Sequence, residues 1–203
     1  QSTTHPIQQT IHDVSEASSA FDRISYQKGE QVIRMVENWL GEDRFRDGMR
    51  DYMKAHAYGN ATSDDLWAAL SHASGQDIGA VARSFVEQPG IPQVNVARRC
   101  VAGETVLTLT QGRFTIHDPH AAALKWKVPV IAGTAGGDVH KILLGKAPST
   151  LRIAGCDHAI KINLGENGYY RTRYDAASLA LLQKEFASFG PADRANILGD
   201  EFA

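Results

Sequence analysis

The sequence predicts an α+β chain of more than one module: a helical layer, then a β-sandwich, then the start of a second helical region. Three observations carry this. Up to Pro89 the apolar residues recur at i, i+3, i+4 and i+7, the stripe of amphipathic helices. From Ile91 short runs alternate with period two between glycines and prolines, as strands with one buried face do. From Ala176 the helical period returns with Leu179, Leu182 and Phe186. The predicted divisions are residues 1–89, 90–174 and 175–203.

The first helix runs from Glu30 with Val32, Met35, Val36, Trp39 and Leu40 on one face, and Gly41 stops it. A second spans about Glu42 to His56 and carries Phe45, Met49, Tyr52 and Met53, until Tyr58-Gly59-Asn60 breaks it. Thr62 and Asp65 have capping-box spacing ahead of Leu66, Trp67 and Leu70, and Gly75 closes that third helix. Asp77 caps a fourth, with Ile78, Val81, Ala82, Phe85 and Val86 apolar, and Pro89-Gly90 ends it. Proline lacks the amide donor and restricts the residue before it, so helix gives way here. The predicted strands are 94–96, 106–110, 114–116, 128–131, 142–144, 160–162 and 169–174, a spacing that suits a sandwich. Asp193-Arg194 opens a last helical segment.

Composition narrows the function. The chain has 203 residues, 43% of them hydrophobic, and a formal net charge of −2. Nothing in this balance points to nucleic acid or an anionic membrane as partner. No apolar run approaches the roughly 18 residues that span a bilayer. The opening Gln1-Ser2-Thr3-Thr4 has no signal-peptide pattern. The missing initiator Met, and an end within a helical pattern, read as cuts through a longer protein. Cys100 and Cys156 are too few for a disulfide framework. They read as two buried small apolar residues, with a bridge between them as the alternative.

Phe21-Asp22-Arg23-Ile24-Ser25-Tyr26-Gln27-Lys28-Gly29 resembles a signature of the gluzincin zinc aminopeptidases, the family of the alanyl, puromycin-sensitive and endoplasmic-reticulum enzymes. The resemblance continues through Val32-Ile33-Arg34-Met35, Tyr58-Gly59-Asn60, Asp65-Leu66-Trp67 and Gln88-Pro89-Gly90-Ile91-Pro92. It extends to Trp126-Lys127-Val128-Pro129, Asn163, Gly168-Tyr169-Tyr170-Arg171, Tyr174 and Asp193-Arg194-Ala195. It covers nearly the whole chain in order. It implies the helical C-terminal part of a thermolysin-like catalytic domain, then the family's β-sandwich, then the entry to its C-terminal helical domain. The family's His-Glu-x-x-His and Gly-x-Met-Glu-Asn segments do not occur here. By resemblance they lie upstream, so zinc is expected in the intact enzyme and none is expected to be held by this chain.

The resemblance makes Tyr26 the family's transition-state tyrosine. Peptide hydrolysis passes through a tetrahedral oxyanion that aimed donors stabilise. A phenol titrates near 10 in water, so it is a neutral O–H donor at pH 7. One such donor is worth roughly 3–4 kcal/mol of transition-state stabilisation. The same likeness places Phe21 in the wall of the substrate pocket, where a flat aromatic suits an apolar side chain; ordinary core packing is the other reading.

The remaining polar groups read as structural. Gly29 suits a close backbone approach, Lys28 a solvated or paired charge, and Glu30 a first-turn acid that complements the helix dipole. His117-Asp118-Pro119-His120 reads as a solvent-facing turn and not as a metal site. Arg171 and Arg173, interleaved with Tyr170 and Tyr174, read as a solvated strand face. The chain thus reads as part of an aminopeptidase acting on peptides, inactive by itself. The alternatives are a non-catalytic binding or scaffold module, or the epoxide-hydrolase branch of the same fold.

Overall fold

The computed structural model describes residues 4–14, 16, 21–116, 118 and 120–202. It is a mixed α+β structure with six α-helices and seven strands in two sheets among these residues. The chain divides into two compact units, Thr4–Pro89 and Gly90 onward.

In the first unit a single π-helical turn, Ile24–Lys28, leads into α1 (Gly29–Leu40). Then come α2 (Glu42–Ala55), α3 (Ser63–Ser74) and α4 (Ile78–Val86). Each boundary has a local cause. Gly41, at φ 86°, breaks the chain between α1 and α2. Thr62 and Asp65 form a reciprocal capping box at the start of α3. The Asp77 carboxylate accepts from the Ala80 amide, 3.0 Å away, at the start of α4. Val36, Leu40, Trp67, Leu70, Ile78 and Ala82 form the buried centre, with Ile33, Trp39, Phe45 and Leu66 packed against it. Of the face expected on α2, Phe45, Met49 and Tyr52 are half-buried and only Met53 departs from it. Gly48 is buried against α3, while Met53 is 63% exposed. A Cβ on Gly48 would lie 2.9 Å from Leu70 Cδ2 and 3.1 Å from Leu70 Cα. The missing side chain therefore lets the two helices close up.

In the second unit the larger sheet has the order β5-β2-β1-β7 and the smaller β4-β3-β6. The strands are β1 (Ile91–Val101), β2 (Glu104–Phe114), β3 (Val128–Gly133), β4 (Val139–Leu144), β5 (Ser149–Ala154), β6 (Lys161–Ile162) and β7 (Arg171–Tyr174). β1 and β2 form a hairpin whose two turn residues, Ala102 and Gly103, both have positive φ, as a type I′ turn requires. The first and last strands, β1 and β7, lie side by side and parallel, Gln93 opposite Arg171. One buried amide ties the two sheets. Gln111 on β2 donates to the carbonyls of Trp126 and Gly145, each at 2.7 Å, and accepts from the Trp126 amide at 2.9 Å.

Several sequence expectations are corrected here. β5 has no counterpart among the predicted strands. Its alternation, Leu151 then Ile153, is short, and only Ile153 is buried. Thr115 and Ile116 lie beyond the end of β2, and Tyr169 and Tyr170 precede β7. The cysteines are not buried apolar residues: Cys100 and Cys156 form a disulfide, Cα–Cα 5.6 Å, with Cys100 exposed. It joins β1 to the turn after β5, both neighbours of β2.

Helices α5 (Ala176–Lys184) and α6 (Pro191–Glu201) close the chain. Asp175 caps α5, accepting from the Ser178 amide, and Pro191 occupies the first turn of α6. Leu182, Phe189 and Ile197 pack with Ala159. Lys161 on β6 is completely buried. Its ammonium donates to the carbonyls of Ile162 (3.0 Å) and Asn163 (2.8 Å) and to Asn196 Oδ1 (2.7 Å), and it faces Asp193 at 3.4 Å.

Candidate active-site turn

Tyr26 stands in the π-helical turn that opens α1, a form that recurs at functional sites. Its ring is 66% exposed, and its hydroxyl makes no hydrogen bond among the described residues. Phe21 is 69% exposed beside it, the ring centroids 6.2 Å apart and tilted by 37°. The structure thus brings together the two residues singled out in the sequence, as an open aromatic pair.

Asp22 builds the turn. Its Oδ1 accepts from the amides of Ile24 and Ser25, each at 2.9 Å. Its carbonyl accepts from the Tyr26 amide at 3.2 Å. Its Oδ2 lies 2.7 Å from His5 Nε2. The Ser25 amide and then the His5 ring hold this carboxyl below the usual range. The Pro6 carbonyl and then Asp22 raise His5 above its ordinary value. Sequence alone assigns Asp22 no role; an aspartate at a helix start, able to accept from amides two and three residues on, is the local signal that could have found it. The His5 partner, 17 residues away, leaves no such signal.

Two expectations beside Tyr26 are corrected. Lys28 is not solvated, and it makes no ion pair among the described residues. It is 4% exposed, and its ammonium donates to the Gln88 carbonyl at 2.6 Å. Burial pulls its pKa down to about 8. Gly29 is helical at φ −58°, and a Cβ there would meet nothing within 4 Å among the described residues, so no close approach is made to it by them. Glu30 lies in the first turn of α1, 4.0 Å from Arg34 one turn on.

Among the described residues no group of three His, Cys, Asp or Glu side chains could hold a metal ion. Of the turn 117–120, His117 and Pro119 lie outside the described residues. No helix among the described residues is long and apolar enough to cross a membrane. The Arg171 strand is not simply a solvated face. Arg171 is held by the Gly199 carbonyl (2.6 Å) and Asp200 (3.4 Å) and stacks 5.3 Å from the Phe114 ring centroid, while Arg173 is exposed. Tyr174 is drawn inward, its hydroxyl accepting from the Ile162 amide at 2.8 Å.

Residues 1–85 match the peptidase family M1 domain. Over 200 residues, 98% of its length, the chain is 32% identical to the Tricorn protease-interacting factor F2 of Thermoplasma acidophilum, covering 24% of that protein. It is 35% identical over 202 residues to aminopeptidase N of Lactobacillus helveticus, covering 96% of the chain and 23% of the relative. It is 35% identical over 193 residues to aminopeptidase M1-C of rice (Oryza sativa subsp. japonica), covering 90% and 21%. The chain therefore spans under a quarter of the length of these curated relatives.

Proposed function

Since this chain belongs to the M1 gluzincin aminopeptidase family, we propose that it supplies the transition-state tyrosine, Tyr26, of an enzyme that removes N-terminal residues from peptides. In this reading residues 1–89 are the helical C-terminal part of a thermolysin-like catalytic domain. Residues 90–174 are the β-sandwich that follows it, and 175–203 begin the C-terminal helical domain.

The observation that carries the reading is the presentation of Tyr26, exposed on the turn with a hydroxyl that has no hydrogen-bond partner among the described residues. As water adds to the scissile carbonyl, the carbonyl oxygen gains negative charge. A phenol O–H aimed at that oxygen strengthens its hydrogen bond as the charge grows, so it favours the transition state over the bound substrate. Phe21, flat and exposed beside it, offers an apolar surface to a substrate side chain. The family's zinc chemistry requires ligands that the described residues do not offer, so no step is assigned here through the metal.

Tyr26→Phe in the intact enzyme tests this. We expect kcat to fall by about two to three orders of magnitude with little change in KM. Zinc content and melting temperature should stay those of the parent, because Phe keeps the ring. A folded, zinc-loaded variant with kcat within about threefold of the parent would remove Tyr26 from the mechanism.

A further inference from the structure

The three amide groups that open the Tyr26 turn, those of Ile24, Ser25 and Tyr26, all end on Asp22. Among the described residues Asp22 is the acceptor for all three of these backbone amides. Tyrosine reaches its hydroxyl through two torsions only, so fixing its backbone largely fixes where the hydroxyl can be delivered. Asp22 in turn is held by His5. The imidazole Nδ1 lies 2.7 Å from the Pro6 carbonyl and Nε2 lies 2.7 Å from the Asp22 carboxylate. Both of those groups accept, so the ring makes both hydrogen bonds when it carries both protons, and each contact favours the charged form. The Gln9 side-chain amide also lies 3.0 Å from Nδ1, and its oxygen end can be turned to accept. The segment bearing His5 is itself tied down: the Gln8 amide donates to the Val86 carbonyl at 2.9 Å. At the other end of the turn, Lys28 is bound to Gln88.

We propose that Asp22 and His5 are positioning residues for Tyr26: Asp22 gathers the turn's amides, and His5 anchors Asp22 to the segment docked on α4. This rests on the reading of Tyr26 as the oxyanion donor. In this role neither residue needs to touch substrate. Their contribution is the accuracy with which the phenol is aimed, and a displacement of about 1 Å at a reacting centre can cost up to two orders of magnitude in rate.

A double-mutant cycle in the intact enzyme separates aiming from general support of the fold. Asp22→Ala should lower kcat about tenfold or more, with KM within about threefold and zinc content unchanged. In a Tyr26→Phe background the same substitution should cost less than about a further twofold, because no hydroxyl is left to aim. Asp22→Asn, which keeps the acceptor, should recover kcat to within about threefold of the parent. Parent-like kcat in Asp22→Ala overturns the proposal, and so does an equal loss in both backgrounds. If Asp22→Ala does not fold, His5→Gln takes its place in the cycle, with the same pattern expected and the same two outcomes overturning it. Tyr26→Phe measured alone tells the two ideas apart. If it keeps the parental kcat, the tyrosine assignment itself fails; if it loses kcat while the cycle shows no coupling, only the positioning role fails.

Discussion

At the scale of single residues, Lys28 shows how burial turns a signature lysine into a stability term. Its ammonium sits in a nearly dry position facing the Gln88 carbonyl, and its pKa falls to about 8. The unfolded chain holds this proton until about 10.4. Between these values the unfolded state binds more protons than the folded one, so stability rises with pH across that window. Denaturant unfolding of the parent and of Lys28→Met at a series of pH values checks this. The parent should gain stability relative to the variant from about pH 8 upward, and a constant difference would show that Lys28 titrates normally. In the sequence Tyr26 stood out through the signature around it, while Asp22 was given no role of its own, although its contacts reach only two and three residues on. The burial of Lys28 was not legible, because it depends on Gln88, sixty residues away. The same holds for Lys161, whose four polar neighbours come partly from α6.

At the scale of elements, helix ends were the most legible parts of the chain. Capping is local chemistry: Thr62 with Asp65, Asp77 with Ala80, and Gly75 in the left-handed conformation at φ 69°. Thr62→Ala should cost about 1 kcal/mol of helical-unit stability, measured by denaturant titration. Faces that meet were less legible. The apolar stripe of α2, Phe45, Met49, Tyr52 and Met53, left out Gly48, through which the helix closes on Leu70. A glycine inside a helix reads as a weakness of about 1 kcal/mol relative to Ala, and only the neighbouring helix reveals its use. Gly48→Val should lower stability by about 1–3 kcal/mol, because the branched side chain must push Leu70 away. A melting temperature unchanged from the parent would show that the seam yields freely. Strand β5 escaped notice for a related reason. It lies at the edge of its sheet, with one buried residue to mark it.

At the scale of the whole molecule, residues 1–203 alone should hydrolyse no aminoacyl anilide even with zinc added, since the described residues offer no ligand cluster. Turnover that co-purifies with the chain, persists in Tyr26→Ala and depends on zinc would point to a contaminating peptidase; turnover lost in Tyr26→Ala would refute the expectation. The Cys100–Cys156 bridge spans a sequence separation of 56. A loop of that size implies roughly 4 kcal/mol of stabilisation for the β unit. Cys100→Ser with Cys156→Ser should therefore destabilise the β unit while the helical unit keeps its unfolding midpoint. The parallel pairing of β1 with β7 carries a further consequence for synthesis. Gln93 to Val96 find their partners only at Arg171 to Tyr174. On the ribosome, β1 must wait with one edge open until nearly the whole module has been translated. An open edge invites pairing with another nascent chain, so a translation product that stops short of Arg171 should aggregate where one that passes Tyr174 stays dispersed.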